Sequence, residues 1–163
     1  MPRFVCLYLT LLLCSTLTHA QDSPAADPEA IILDGQVRFT VLTPQLIRME
    51  WSADSSFEDR ASLSVTNRLQ PVPRYKYRVN KTTILIETDA LQLRYTRNSG
   101  PFGESNLKIN YELKGSTKLW TPGMTDPDNL KGTIRTLDGY AGAEDWDGNP
   151  IALEDGILSR SGW

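Results

Sequence analysis

The chain has 163 residues, of which 40% are hydrophobic and 23% charged, a composition typical of one globular domain. Its formal net charge is −3, and without a block of basic residues it makes a poor nucleic-acid-binding protein.

The first 20 residues have the pattern of a secretory signal peptide. Arg3 precedes an apolar run at residues 4–14, and Thr18-His19-Ala20 puts small residues three and one positions before a polar Gln21. The apolar run is shorter than the roughly 20 residues that span a bilayer, and no second such run follows. We therefore expect cleavage after Ala20, a secreted or periplasmic protein, and no membrane span.

Cleavage after Ala20 would leave 143 of the 163 residues and change the net charge from −3 to −4, because Arg3 is lost. It would also remove Cys6, Cys14 and His19, which are all the cysteines and histidines of the chain. The mature chain would then have no disulfide, thiol nucleophile, Ser-His-Asp triad or His/Cys metal site. We expect no metal and no cofactor, and acid–base chemistry could come only from carboxylates, Tyr or Lys.

The rest of the chain is dominated by a period of two. Residues 21–29 are polar and predict a flexible leader, and residues 30–163 form the predicted domain. Apolar and polar residues alternate at residues 37–41, 47–51 and 91–95, and residues 62–66, 82–88 and 108–113 are further strand candidates. Asp34-Gly35 and Asp155-Gly156 predict hairpin turns. Roughly eight to eleven short strands and no amphipathic helix predict an all-β fold, a sandwich or a barrel.

Residues 120–150 are turn-rich and acidic, as in a long loop on a β scaffold that carries binding residues, or equally in a connection that packs on a neighbouring surface. Glu144-Asp145-Trp146-Asp147 is compatible with a sugar subsite, in which the indole stacks and the carboxylates accept hydrogen bonds, or with a solvated acidic loop. Asp126-Pro127-Asp128-Asn129 offers oxygen ligands, but a turn closed by an aspartate side chain explains it as well.

Asn80-Lys81-Thr82 is an N-glycosylation sequon between two predicted strands. We expect Asn80 to carry a glycan if the host is a eukaryote.

Two segments near the end of the chain resemble a known family. Residues 119–140 are LWTPGMTDPDNLKGTIRTLDGY, and residues 153–163 are LEDGILSRSGW. Together with residues 57–62 (FEDRAS), Asn67-Arg68 and Pro71-x-Pro73, they resemble the N-terminal domain of family 31 glycoside hydrolases, the α-glucosidase and α-xylosidase family. The resemblance spans residues 30–163, with Lys131 and Ala61 where the family often has Gly and Pro.

The resemblance implies an antiparallel β-sandwich of the galactose-mutarotase-like (supersandwich) type, which packs on a catalytic (β/α)₈ barrel. In this family the two catalytic aspartates lie on the barrel and the anomeric configuration is retained, which requires carboxyl groups about 5 Å apart. The barrel is absent here, so no catalytic residue is carried over and the chain alone is expected to be inactive. The whole enzyme would be a secreted α-glycosidase that acts on an α-linked oligosaccharide or glycoside.

The loop would then contribute to the rim of that active site. The residues whose side chains suit a sugar are Asp128, Asn129, Asp138, Tyr140 and Trp146. For Asp138 the alternative is a structural role, in which it pairs with Arg135 and holds the loop against the scaffold. The alternative function is an autonomous secreted carbohydrate-binding module. A free-standing mutarotase is disfavoured, because mutarotases of this fold use a histidine and the mature chain has none.

Overall fold

The computed structural model describes residues 23–63, 65–132, 147–149 and 153–162. One short 3₁₀ turn and eight strands follow each other along this part of the chain. The turn is Pro28–Ala30, and the strands are β1 (Ile31–Asp34), β2 (Val37–Thr43), β3 (Leu46–Trp51), β4 (Tyr75–Val79), β5 (Thr83–Thr88), β6 (Leu91–Thr96), β7 (Leu107–Leu113) and β8 (Ser116–Trp120).

The strands form two antiparallel sheets in which neighbours in sequence are neighbours in space. The first sheet has the order β1-β2-β3, and the second has the order β4-β5-β6-β7-β8. The predicted hairpin at Asp34-Gly35 is confirmed, because Asp34 pairs with Val37 and Gly35 has a φ of +57°, which suits glycine.

The two sheets face each other across one apolar core, so the predicted all-β sandwich is confirmed. Alternation works as expected in β6, where Leu93 and Tyr95 are buried while Gln92 and Arg94 are exposed. The core residues come from both sheets: Ile32, Val37, Phe39, Val41, Ile84, Ile86, Leu93, Tyr95 and Leu107.

An aromatic cluster lies at the centre of this core. The rings of Phe39 and Tyr95 are 5.9 Å apart, and Phe102 lies 5.6 Å from Phe39 and 5.3 Å from Tyr95. The hydroxyl of Tyr95 donates to the carbonyl of Gly100 at 2.7 Å, so the one polar atom in the cluster is satisfied.

The outer face of the small sheet is covered by a charged segment. Arg38 of β2 is buried and bonds Glu50 of β3 (2.7 Å) and Asp59 (2.6 Å), with its guanidinium over the ring of Phe57. Nearby, Arg60 bonds Glu58 and lowers the pKa of that carboxyl to about 2. The segment at residues 57–60 thus packs on the sheet through the Arg38–Asp59 ion pair and the contact of Phe57 with Arg38.

One predicted element is wrong. No strand is present at the described residues of the 62–66 segment, where the backbone N–H of Ser62 donates to the carbonyl of Val65 at 3.1 Å and Leu63 is fully exposed. The first strand of the hairpin predicted at Asp155-Gly156 lies partly outside the described residues, and the described residues 153–162 hydrogen-bond to residues 128–132.

The predicted signal peptide lies outside the described residues, as do residues 21–22 of the leader. Within the remaining leader, Ser23 and Pro24 accept hydrogen bonds from Arg68, at 2.7 and 2.6 Å. In the part of the chain that the structure describes, no helix has the length and apolar character needed to cross a membrane.

Candidate functional site

A buried carboxylate organises the segment that carries the family resemblance. Asp126 is 5% exposed, and its Oδ1 accepts from the backbone N–H of Asp128 (3.1 Å) and from the hydroxyl of Ser159 (3.0 Å). Its Oδ2 accepts from the Asn129 amide at 3.2 Å. The aspartate turn that sequence offered as an alternative is therefore present, and it also binds the C-terminal segment.

The side chain of Asn129 joins the same two segments. Its Nδ2 donates to Asp126 and to the carbonyl of Gly156 (3.0 Å), and its Oδ1 accepts from the backbone N–H groups of Lys131 (2.7 Å) and Gly156 (2.8 Å). These four bonds use the full capacity of the amide. In this conformation Asn129 holds the backbone together and has no donor or acceptor left over for a sugar hydroxyl.

The backbones of the two segments are bonded directly as well. Leu130 donates to Leu158 at 3.0 Å, Gly132 to Glu154 at 2.8 Å, and Arg160 to Asp128 at 3.1 Å. We call residues 126–132 and 153–162 together the C-terminal clasp.

The clasp requires a glycine at position 156. A Cβ atom there would lie 2.4 Å from the carbonyl oxygen of Lys131, far inside van der Waals contact. Gly156 therefore permits a close approach of two backbones, whereas sequence analysis assigned it to a hairpin turn.

Tyr111 connects the clasp to β7 of the large sheet. Its hydroxyl donates to the carbonyl of Ser161 at 3.1 Å. Burial raises the pKa of Tyr111, and the negative charge of Asp126 adds to this effect. Nothing in the period-two pattern distinguished Tyr111 from other inward-facing strand residues.

Of the five predicted sugar-binding residues, the structure places two. Asp128 is exposed and accepts only from the hydroxyl of Ser161, at 3.3 Å, so its Oδ1 has no partner among the residues that the structure describes. Asp138, Tyr140 and Trp146 lie outside the described residues, as does Arg135. The sugar-binding set thus stays a prediction. Of the two members that the structure describes, Asp128 is the one whose side chain is accessible.

Apolar side chains are exposed on the clasp. Ile157 is 97% exposed and Leu158 64%, and Leu130, which bonds Leu158, and Leu153 are exposed as well. Large aliphatic side chains in adjacent positions of one segment are typical of a surface that packs on a partner.

A concave feature lies where the turn between β5 and β6 approaches the end of β7 and the start of β8. It is an open groove of about 450 Å³, and its polar lining residues are Glu87, Thr88, Asp89, Gln92, Asn110, Tyr111, Glu112 and Thr117.

Part of this polar lining is already paired. Gln92 donates to Glu87 at 2.9 Å, Thr117 donates to Glu112, and Arg74 pairs with Asp89. The amide of Asn110 has no partner in the described part of the chain. Sequence analysis missed this groove, although the outward positions of β6 and β7 that line it are polar.

Neither feature has the composition of a metal centre. Among the described residues, no group of three or more His, Cys, Asp or Glu side chains is arranged to hold a metal ion. The chemistry that these surfaces offer is hydrogen bonding to neutral polar ligands and apolar contact.

Comparison with known proteins does not identify a family. No family model matches the chain, and no curated protein matches it.

Proposed function

We propose that the chain is the N-terminal, non-catalytic β-sandwich domain of a secreted α-glycosidase of glycoside hydrolase family 31. In this proposal the domain is of the galactose-mutarotase-like type, and it supports and rims the active site of a (β/α)₈ barrel. The barrel would supply both catalytic carboxylates.

The observation that carries the proposal is the clasp. The two sequence segments that resemble the family are separated by residues 141–152, and they are joined in the fold, since Asn129 bonds Gly156 and Asp126 bonds Ser159. Residues that resemble the family as a set therefore act as a set in the fold. These contacts support the proposal that the two segments form one structural unit.

The conformation of Lys131 supports the same reading. Lys131 stands where the family often has glycine, and it has a φ of +63°. That left-handed conformation favours glycine and strains other residues. The backbone at position 131 thus has the conformation that glycine, the residue often found there in the family, adopts most readily.

The exposed apolar residues of the clasp supply a surface for the barrel. Ile157 and Leu158 would be buried in the full-length enzyme, next to the segment that leads into the next domain. Asp128 would face the sugar with a free oxygen, together with Asp138, Tyr140 and Trp146 from the rim loop.

Extending the coding sequence beyond Trp163 tests the proposal. We expect the frame to continue into a barrel domain, and the longer chain to hydrolyse p-nitrophenyl α-glucoside or α-xyloside while residues 1–163 do not. Hydrolysis by residues 1–163 that is lost in Asp138→Asn, or a longer chain without a barrel, would contradict it.

The surface of the clasp can be tested separately. We expect Ile157→Ser with Leu158→Ser to reduce binding of a hydrophobic dye to residues 1–163. The matched control is Leu33→Ser with Leu46→Ser, which changes exposed leucines of the small sheet. Equal reductions in both variants would show that the clasp is not a distinct apolar surface.

The groove favours a second candidate function, an autonomous carbohydrate-binding module. Its carboxylates, amides and hydroxyls suit sugar hydroxyls, and the Asn110 amide has no hydrogen-bond partner among the described residues. If this function is correct, an α-linked oligosaccharide should perturb the NMR signals of the groove in wild type but not in Asn110→Ala. Thr96→Ala, elsewhere in the same sheet, should bind like wild type.

A further inference from the structure

The turn between β4 and β5 contains a motif that the proposed function does not use. Asn80-Lys81-Thr82 is the only Asn-x-Ser/Thr triplet in the sequence with no proline at its centre. All three residues are exposed at the tip of the hairpin. The question is whether the fold leaves the acceptor atom of this sequon free.

The two ends of the Asn80 amide have different roles. Its Oδ1 accepts from the backbone N–H groups of Thr82 (2.9 Å) and Thr83 (2.8 Å), and from their hydroxyls at 3.3 and 3.0 Å. Its Nδ2 donates no hydrogen bond in the described part of the chain. The oxygen therefore closes the turn, whereas the nitrogen projects from it unused.

The backbone of this turn is fixed to the sandwich. Arg97 donates to the carbonyl of Asn80 at 2.6 Å and pairs with Asp34 of β1, also at 2.6 Å. Every partner of the Asn80 side chain lies within three residues of it, so the same turn can form before the rest of the domain folds. The sequon thus has one local conformation, which needs no rearrangement to expose Nδ2.

We propose that Asn80 is an N-glycan acceptor whose modification leaves the fold intact. In the transfer, Nδ2 forms a bond to the anomeric carbon of an oligosaccharide carried on a lipid pyrophosphate. The anomeric C–O bond breaks, the lipid pyrophosphate leaves with the bonding electron pair, and the amide loses one proton. Oδ1 keeps its four hydrogen bonds, and Nδ2 keeps one hydrogen.

A glycan at the turn between β4 and β5 would limit which part of the domain a partner can bind. Asn80 adjoins the start of β5, whereas the clasp reaches the sheet at Tyr111, which pairs with Leu91 beyond the end of β5. A six-residue strand such as β5 spans roughly 20 Å. A glycan on Asn80 would therefore leave the clasp and the groove accessible, while keeping the opposite end of the sandwich in solvent.

Translation in the presence of endoplasmic-reticulum microsomes tests the inference. Two proteins are compared: residues 1–163, and residues 21–163 behind the leader of another secreted protein. We expect one electrophoretic shift that an endoglycosidase removes, seen in wild type and Thr82→Ser and lost in Asn80→Asp and Thr82→Ala. Asn80→Asp is the matched control, because it keeps the oxygen that closes the turn and lacks the amide nitrogen.

The inference rests on the secretory route of the proposed function. Comparing the native leader with the foreign one distinguishes a failure of that route from a failure of the acceptor site. A shift only behind the foreign leader would refute the native signal peptide and leave the acceptor site supported. With the foreign leader, absence of a shift, or a shift that persists in Asn80→Asp, would overturn the acceptor assignment. A glycosylated domain with a Tm well below that of Asn80→Asp would overturn the claim that the fold tolerates the glycan.

Discussion

The sandwich core and the C-terminal clasp are stabilised by different interactions. In the core, fully buried side chains such as Phe39 and Leu93 from opposite sheets pack with few polar atoms between them. In the clasp, a buried carboxylate and a saturated amide hold backbone segments that form a single isolated bridge, while Ile157 and Leu158 remain exposed. The core therefore buries its apolar side chains between the two sheets, whereas the clasp pairs the polar side chains of Asp126 and Asn129 and leaves Ile157 and Leu158 exposed.

This difference predicts that the two regions respond to substitution separately. Loss of core packing should unfold the whole domain, because both sheets depend on the same cluster. Loss of a clasp hydrogen bond should release residues 153–162 locally, because hydrogen bonds join them to residues 126–132 and to Tyr111.

The largest effect is expected from Phe39→Ala. Phe39 is 0% exposed and contacts the rings of Tyr95 and Phe102, so truncation leaves a cavity at the centre of the core. We expect the free energy of unfolding in urea to fall by about 3–5 kcal/mol. Leu33→Ala, at an exposed position of β1, should change it by less than about 0.5 kcal/mol. Similar losses in the two variants would contradict the placement of the core.

The difference between an apolar core and a hydrogen-bonded clasp also explains which parts of the structure the sequence predicts. Phe39 and Leu93 lie in alternating strands, and a period of two assigns such residues to one buried face directly. It does not mark β8, for which sequence analysis predicted no strand, and it is wrong for residues 62–66, for which sequence analysis predicted one. Short segments of this kind are decided by tertiary contacts, which periodicity does not contain.

For the clasp, the sequence identified the residues and not their roles. Asp126 and Asn129 were recognised as a polar group, but their partners Ser159 and Gly156 are about 30 residues away in sequence. Hydrogen bonds over such separations leave no periodic signal, so Gly156 was assigned to a turn. The groove was missed for a related reason, since outward polar positions on β6 and β7 resemble any solvated sheet face.

Asp126→Asn should disrupt the clasp and leave the core intact. The substitution replaces one acceptor oxygen of Asp126 with a donor, so either the Asn129 amide or the Ser159 hydroxyl and Asp128 N–H lose a partner. We expect the free energy of opening of the clasp to fall by about 1–3 kcal/mol.

Hydrogen exchange distinguishes this local effect from global unfolding. In Asp126→Asn the amides of Leu130, Gly132 and Arg160 should exchange faster, while those of β2 and β6 keep their protection. Asp128→Asn is the control, because its side chain is exposed and, among the described residues, accepts only the long bond from Ser161. Equal loss of protection in β2 would show that the clasp and the core unfold together.

Tyr111→Phe should weaken the clasp by a smaller amount, about 0.5–1.5 kcal/mol, through loss of the bond to Ser161. In wild type this contribution depends on pH, because the pKa of Tyr111 is raised above its ordinary value of 10.0, chiefly by burial. The contribution is complete below about pH 10 and is lost as the pH rises through the folded-state pKa, since the ionised phenol cannot donate.

Proteolysis at the clasp, followed between pH 9 and 12 in short pulses, measures this dependence. Cleavage within residues 153–162 should increase with pH in wild type, and the increase should be smaller in Tyr111→Phe. An equal increase in both proteins would assign the pH dependence to other groups.

The smallest effect is expected at the surface of the clasp, in the ion pair between Lys131 and Asp155. Both side chains are about half exposed, so water and salt screen the attraction, and ordering two side chains costs part of the gain. A double-mutant cycle of Lys131→Met and Asp155→Asn should give a coupling of about 0.2–1 kcal/mol that falls further at high salt. The same cycle on Asp126→Asn and Ser159→Ala should exceed it, because that pair is more deeply buried. If the exposed pair gave the larger coupling, surface charge rather than the buried carboxylate would hold the clasp closed.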